Sequence, residues 1–496
     1  MRESLRRLAT TGAAYGAGAV AQKVIAVALL LFYTRYLSPS DYGASEVLLQ
    51  TTLGLVLLVR FGLIEAVFRF YFQVDEPQAR RQLVRAAMYF VAAAGGVCAA
   101  VLVLVSGPLS EALLGRHDAA LVRIAAAGLW TLAVGELLMA TFRVEERPRA
   151  YLTASVASLV ASTAATTWFV VGLDMGAEGL LLGNFAGAAV LLVGVGFAQR
   201  AYVHGPAGGM LRPLLRFGAP TVPGEISLYA INIVDRVAIA RLAGLAEAGL
   251  YGFAMKLSQG VVLVGQGFQL AWAPLAYSVM DDEQARELYA RVFTYLALTG
   301  ATIVLITSLE APWIARLLAT RSFYEAHEAV ALLSLAVTLN TLYLALIVAL
   351  GRVHRTRATI VPALAGTAAN FLLLVVLVPP YGFVGAAGAA VACYVVMLPL
   401  LYLRVRRVFP VPLEWRRLAL IAALGGAVFA VGSVGIGESG ALAFYARAAL
   451  VGAFLVTLRV GGFFEPRELE QVRRIARGYR REVASSEAAS SAKSRP

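Results

Sequence analysis

Apolar runs of one length dominate the sequence. Fourteen stretches of about 20 residues, the length that crosses the hydrocarbon core of a bilayer as a helix, fall roughly at 13–36, 43–64, 82–106, 119–142, 151–173, 178–199, 215–241, 248–273, 290–309, 327–350, 357–378, 383–403, 417–436 and 441–460. Only 15% of the residues are charged and 59% are hydrophobic, whereas a water-soluble chain carries about 25% charged residues. Inside hydrocarbon each backbone N–H and C=O needs an internal partner, so every run reads as a helix. The chain reads as an all-α, multi-pass integral membrane protein. Its basic N-terminus, MRESLRRLATTG, leads into the first run without an A-x-A type cleavage site, which suits a retained span rather than a signal peptide.

A net charge of +13 can signal a nucleic-acid partner, but here the arginines sit in short clusters in alternate loops. The opposite loops hold only Arg35, Arg116, Arg241, Arg316 and Arg321. That asymmetry follows the positive-inside rule, excludes a nucleic-acid reading and puts both termini in the cytoplasm. The loops on the far side are short, the longest running from about Glu310 to Glu328, so no extramembrane domain is expected there. Cys98 and Cys393 lie within apolar runs as small core residues, and His117, His204, His327 and His354 stand singly, without the spacing of a metal site. No P-loop occurs: Lys23 follows Gln, Lys256 follows Met and Lys493 follows Ala, where that motif needs Gly-Lys-Ser/Thr. Neither H-E-x-x-H nor G-x-S-x-G is present. No cofactor is expected.

The chain repeats itself. A gapless shift of 206 residues superposes Gly12, Gly18, Arg35 and Gly43 on Gly218, Gly224, Arg241 and Gly249, sets Asp41 against Glu247, and later pairs Gly176 with Gly382 and Gly179 with Gly385. Six spans per copy is an even number, so both copies share one orientation, as two pseudo-symmetric six-helix lobes in a parallel repeat. The repeat divides the chain into an N-lobe (1–205, spans one to six), a C-lobe (206–411, spans seven to twelve) and two appended helices (412–461). A cytoplasmic amphipathic helix follows (462–484), with Arg473, Arg474, Arg477, Arg480 and Arg481 between apolar positions, suited to anionic lipid. The tail 485–496 is small and polar and is expected to be disordered.

Charges fall inside predicted spans: Lys23, Glu46, Arg60, Glu136, Glu225, Asp235, Arg236, Lys256 and Arg447. Each is penalised by roughly 2.5–3.5 kcal/mol at mid-span, so they must pair or face water. Glu225, Tyr229, Asn232 and Arg236 recur at i, i+4, i+7 and i+11, one helix stripe about 16 Å long. Glu46, Gln50 and Arg60 share a face of span two, and Lys256 and Gln266 share one of span eight more loosely. A water-filled cleft lined by spans one, two, seven and eight explains the pattern. The alternative is that some are structural pairs, with Asp235, which leaves the stripe, the foremost candidate. The repeat shift does not conserve these charges: Arg236 meets Leu30 and Lys256 meets Gln50. The scaffold is duplicated while the chemistry leans to the second copy, with Arg60 reaching across.

Two segments carry a family resemblance. TRYLSPSDYGASEVLLQ (Thr34–Gln50) and FGAPTVPGEISLYAINIVDRVAIARLAGLAEAGLYGFAMK (Phe217–Lys256), together with Pro274 and YGFVGAAGAA (Tyr381–Ala390), resemble polysaccharide-biosynthesis membrane proteins. These are the O-antigen and exopolysaccharide flippases of the multidrug/oligosaccharidyl-lipid/polysaccharide (MOP) exporter superfamily. The resemblance implies alternating access around a cationic cavity in the bacterial inner membrane. The implied cargo is undecaprenyl-pyrophosphate-linked oligosaccharide, moved from the cytoplasmic to the outer leaflet beside glycosyltransferases and a polysaccharide polymerase. On this reading Lys23, Arg60, Arg236 and Lys256 hold the pyrophosphate or acidic sugars, and Gln50, Tyr229, Asn232 and Gln266 bond sugar hydroxyls. Glu46, Glu225 and Asp235 are candidates for ion coupling, and the protein is expected to act as a monomer. Competing readings are a multidrug or small-molecule antiporter, a lipid II flippase, and a polytopic polymerase or ligase, which would be expected to carry a large outer loop.

Overall fold

The computed structural model describes residues 29–437 and 440–464. Lys23, most of the first predicted span, and nearly all of the C-terminal basic helix and tail lie outside the described residues. Those described form helices and connecting turns, with no strand among them. Ten helical segments are long and apolar enough to cross a membrane. One of them, Ile360–Val408, bends at Gly382 (φ 53°, ψ −135°) and so contains two of the spans read from the sequence. Spans seven and eight fall outside the ten because charges or breaks interrupt them.

In chain order the helices are α1 (Leu30–Tyr36), α2 (Pro39–Arg60), α3 (Leu63–Tyr71), α4 (Pro77–Leu104), α5 (Ser106–Leu114), α6 (Ala119–Val144), α7 (Pro148–Thr167), α8 (Gly176–Ala198) and α9 (Arg200–Val203). They continue as α10 (Leu211–Gly218), α11 (Val222–Leu242), α12 (Leu245–Leu257), α13 (Gln259–Ser278), α14 (Asp282–Leu318), α15 (His327–Arg352), α16 (Ile360–Val408), α17 (Trp415–Val434) and α18 (Ala441–Val460). Local chemistry sets the boundaries. Ser38 caps α2, its Oγ accepting from the Asp41 N–H at 3.1 Å with Pro39 as the first helical residue, where its missing N–H is harmless. Phe61 (φ 52°) and Gly62 (φ 66°) end that helix in the left-handed region. Pro220 lies in a 3₁₀ turn, Ala219–Thr221, that separates α10 from α11, and Ser258 separates α12 from α13.

One boundary differs from the sequence reading. The loop expected from about Glu310 is helical as far as Leu318, because the appended helices α17 and α18 pack along α14 and bury Glu310 beside Arg447.

Three apolar cores explain how the two lobes sit. One core belongs to the N-lobe (Val56, Leu63, Leu83, Leu129, Leu137) and reaches Leu214 of α10. A second belongs to the C-lobe and the appended pair (Trp272, Phe293, Leu346, Met397, Phe454). The third draws on both lobes at once, joining Tyr42, Val47 and Leu180 to Phe253, Phe323 and Phe383. The lobes are therefore fused by close packing at the end carrying Pro39 and Leu245, while toward the opposite end each has a core of its own, bridged by α10, whose Gly218 meets Gly62 backbone to backbone.

Candidate functional site between the lobes

At the fused end α2 packs on α11 and α12. Glycine makes the approach possible. A side chain on Gly43 would collide with the Leu245 carbonyl oxygen, and one on Gly249 would collide with that of Pro39. One turn further in, Glu46 of the N-lobe lies against Gly252 of the C-lobe, where a Cβ would come within 2.8 Å of its Cγ.

From here α2 and α11 run antiparallel and their polar residues meet rung by rung. Glu46 receives Lys256 Nζ at 3.1 Å and lies 3.8 Å from Arg236 Nε, with Tyr42 Oη donating at 3.3 Å. Next, Tyr229 Oη donates to Gln50 Oε1 at 2.6 Å. Last, Arg60 contacts Glu136 of its own lobe at 2.5 Å and Glu225 of the other at 4.0 Å. Each rung joins unlike groups across the lobe boundary. Rings cover the cations: Lys256 Nζ is 4.7 Å from the centre of Tyr42, and the Arg236 guanidinium is 5.6 Å from that of Tyr251, geometry in which the ring face attracts the charge.

The structure thus brings together Glu46, Gln50, Arg60, Glu225, Tyr229, Arg236 and Lys256. Asn232 joins through its backbone, its carbonyl accepting from Arg236 Nη1 at 2.9 Å. Gln266 lies in α13, beyond the break at Ser258 that separates it from Lys256 of α12, at an exposed position. Asp235 faces the interior of the C-lobe, 3% exposed, and accepts from Tyr251 Oη at 3.0 Å with Asn370 beside it. It departs from the stripe, as the spacing indicates, and its hydrogen bond comes from a tyrosine, with the Arg236 charge nearby.

Residues 32–291, just over half the chain, match the family described as "Polysaccharide biosynthesis protein". The chain belongs to that family. No curated protein matches it by sequence. Among solved structures, this polysaccharide biosynthesis protein is similar in fold to the lipid II flippase MurJ in an inward closed conformation. The TM-score is 0.73 at 10% identity, over 90% of this chain and 98% of that one. A multidrug resistance MATE family transporter of the MOP superfamily in an inward-facing conformation matches with TM-score 0.65 at 13% identity, over 81% and 96%. A MOP superfamily transporter from Pyrococcus furiosus matches with TM-score 0.51 at 12% identity, over 86% and 96%. The chain shares the fold of these three proteins.

A second feature lies apart from the charges. An apolar cavity of about 790 Å³ opens between α14, α15, α16 and α17, walled by Phe293, Leu335, Leu339, Tyr402, Trp415 and Phe429. Sequence reasoning missed it, along with Tyr42 and Tyr251, whose hydroxyls serve buried carboxylates. A tyrosine in an apolar run gives no signal until the carboxylate opposite it is known.

Proposed function

We propose that the protein is a flippase that carries a polyprenyl-pyrophosphate-linked oligosaccharide across the membrane by alternating access of its two lobes. The observation that carries this reading is the set of Arg60, Arg236 and Lys256 inside the membrane, on the surfaces where the lobes face each other. A pyrophosphate and sugar headgroup cannot cross hydrocarbon unaided, and it needs cations that hydrocarbon does not supply. Arginine grips phosphate with a fork of donors and lysine acts as a compact charge. Gln50, Tyr229 and Asn232 line the same seam and would serve sugar hydroxyls. The apolar cavity beside α17 would take part of the isoprenoid chain.

Family membership supports the lipid-linked sugar as cargo. Orientation follows from the arginine asymmetry, with both termini in the cytoplasm of a bacterial inner membrane, the fused end facing outward, and transport from the cytoplasmic to the outer leaflet. Glu46, Glu225 and Asp235 remain the candidates for a coupling proton or sodium ion, and Lys23 and Gln266 complete the proposed cargo set. The basic C-terminal helix would rest on anionic lipid, glycosyltransferases and a polymerase would act before and after the transport step, and one chain would suffice. The residues described hold no outer domain that could house bond-making chemistry, which favours transport over polymerisation.

The reading is tested by complementation of a strain lacking its lipid-linked oligosaccharide flippase. The unaltered chain is expected to restore surface polysaccharide, and Arg236→Ala and Lys256→Ala to abolish it at normal expression. Full activity of Arg236→Ala would remove that residue from the cargo site.

A further inference from the structure

The cations assigned to the cargo are already engaged. Lys256 Nζ stands 3.1 Å from one oxygen of Glu46, and Arg236 Nε stands 3.8 Å from the other. Two cations of the C-lobe thus share one carboxylate of the N-lobe. The side chains of Glu46 and Arg236 are each 6% exposed, that of Lys256 29%, so Lys256 is the one an incoming anion reaches first.

The position matters as much as the pairing. Glu46 lies one turn from Gly43, where the lobes touch backbone to backbone, and it occupies the space that Gly252 leaves open. Its two ion pairs therefore hold α2 to α11 and α12 at the fused end. A buried carboxylate stripped of its cations is strongly unfavourable, so the pairs would not open spontaneously. Among the described residues no second carboxylate is ion-paired with these cations, although Asp235, bonded to Tyr251, also lies within electrostatic reach of Arg236. A pyrophosphate brings more charge and more oxygens than a carboxylate and can satisfy both cations at once.

We propose that Glu46 is an internal counter-anion that latches the lobes at the Pro39–Leu245 end, and that the pyrophosphate of the cargo displaces it from Lys256 and Arg236, so that loading releases the latch. This rests on the cargo reading above and adds to it the event that couples binding to opening. A ligand moves such an equilibrium only through its differential affinity for the two states. Here the difference is physical, because the open state frees the two cations and the closed state shares them with Glu46.

The test measures the distance between spin labels at Tyr36→Cys and Leu242→Cys. Both positions are exposed and flank the fused end on opposite lobes, and the background is Cys98→Ala, Cys393→Ala. The full chain is placed in nanodiscs containing either undecaprenol or undecaprenyl pyrophosphate, and binding of the latter is measured separately. In the parent, the pyrophosphate lipid is expected to raise the long-distance population at least about tenfold from a minor state. Glu46→Gln should show the long distance with undecaprenol alone and respond no further, and Glu46→Asp should restore parent behaviour. Lys256→Gln removes the nearest cation and is expected to give the same long distance, which keeps the test open if Glu46→Gln does not fold. A Glu46→Gln protein that binds the pyrophosphate lipid yet keeps the short distance in undecaprenol overturns the latch. A parent that fails to bind the pyrophosphate lipid overturns the cargo reading, and the displacement step with it. A long distance in Glu46→Gln would then still support the latch itself.

Discussion

Gly43 and Gly249 meet across the boundary between the lobes, each so close to the other's helix that no side chain fits at either position. The contact is reciprocal. Gly43 presses on the carbonyl of Leu245, Gly249 presses on the carbonyl of Pro39, and Leu245 and Pro39 are themselves related by the 206-residue shift. Such self-complementary contact is what a two-fold relation between identical surfaces produces, and here the two surfaces belong to one chain. Glu46 and Gly252 form the next pair along the same line and break the symmetry, since one carries the latch and the other the room for it.

That reciprocity predicts equal penalties. Gly43→Ala and Gly249→Ala each force a methyl into a backbone carbonyl, overpacking that typically costs about 1–3 kcal/mol. Thermal unfolding of the purified variants should show two losses that agree within a few tenths of a kcal/mol, as for equivalent sites. A clear loss at one site and none at the other would contradict the symmetric seam.

A second pair of twins is predicted to differ. Gly176 and Gly382 both have φ 53°, and each opens the sixth helix of its lobe beside an acid, Asp41 or Glu247. At Gly382 the fit is tight. Glu247 accepts the Phe383 N–H at 2.9 Å and an added Cβ would overlap its carboxylate, whereas at Gly176 a Cβ would stand 3.7 Å from the Asp41 carboxyl carbon. Gly176→Ala should therefore meet only the conformational penalty of positive φ, about 1–2 kcal/mol, and Gly382→Ala a larger one. Melting temperatures in detergent rank the two, and equal losses would show that Glu247 yields freely.

Tyr251→Phe tests the buried end of the charge set. Membrane hydrogen bonds average about 0.6 kcal/mol, but this change leaves Asp235 enclosed without its hydroxyl donor, for which about 1–3 kcal/mol is the ordinary range. The larger figure is expected because Asp235 is only 3% exposed. Denaturant titration of variant and parent measures it, and a loss under ~0.5 kcal/mol would mean that another donor, such as Asn370, satisfies the carboxylate.

Much of this architecture was legible in the sequence because its causes are one-dimensional. Apolar run length set the spans, and the gapless shift revealed the repeat. The 3.6-residue period of Glu225, Tyr229 and Arg236 predicted a common face, and Gln50, Glu46 and Arg60 lie opposite it. The partner of each residue was not legible, since pairing depends on the antiparallel approach of α2 and α11 and on the glycines that permit it. The relation of Gln266 to Lys256 is less legible for a local reason: the break at Ser258 interrupts the helical phase that joins them. Glu310 falls at the start of the expected loop, yet it is helical and buried. Its burial depends on α17 and α18, more than a hundred residues further along.

The most direct test of the central claim is transport itself. Purified protein in liposomes is given labelled undecaprenyl-pyrophosphate-linked oligosaccharide in one leaflet, and its arrival in the other is read by accessibility to a membrane-impermeant glycosidase. The account predicts translocation by the full chain well above protein-free liposomes, lost in Arg236→Ala and in Lys256→Ala. Translocation no faster than in protein-free liposomes, or undiminished in both variants, would contradict it.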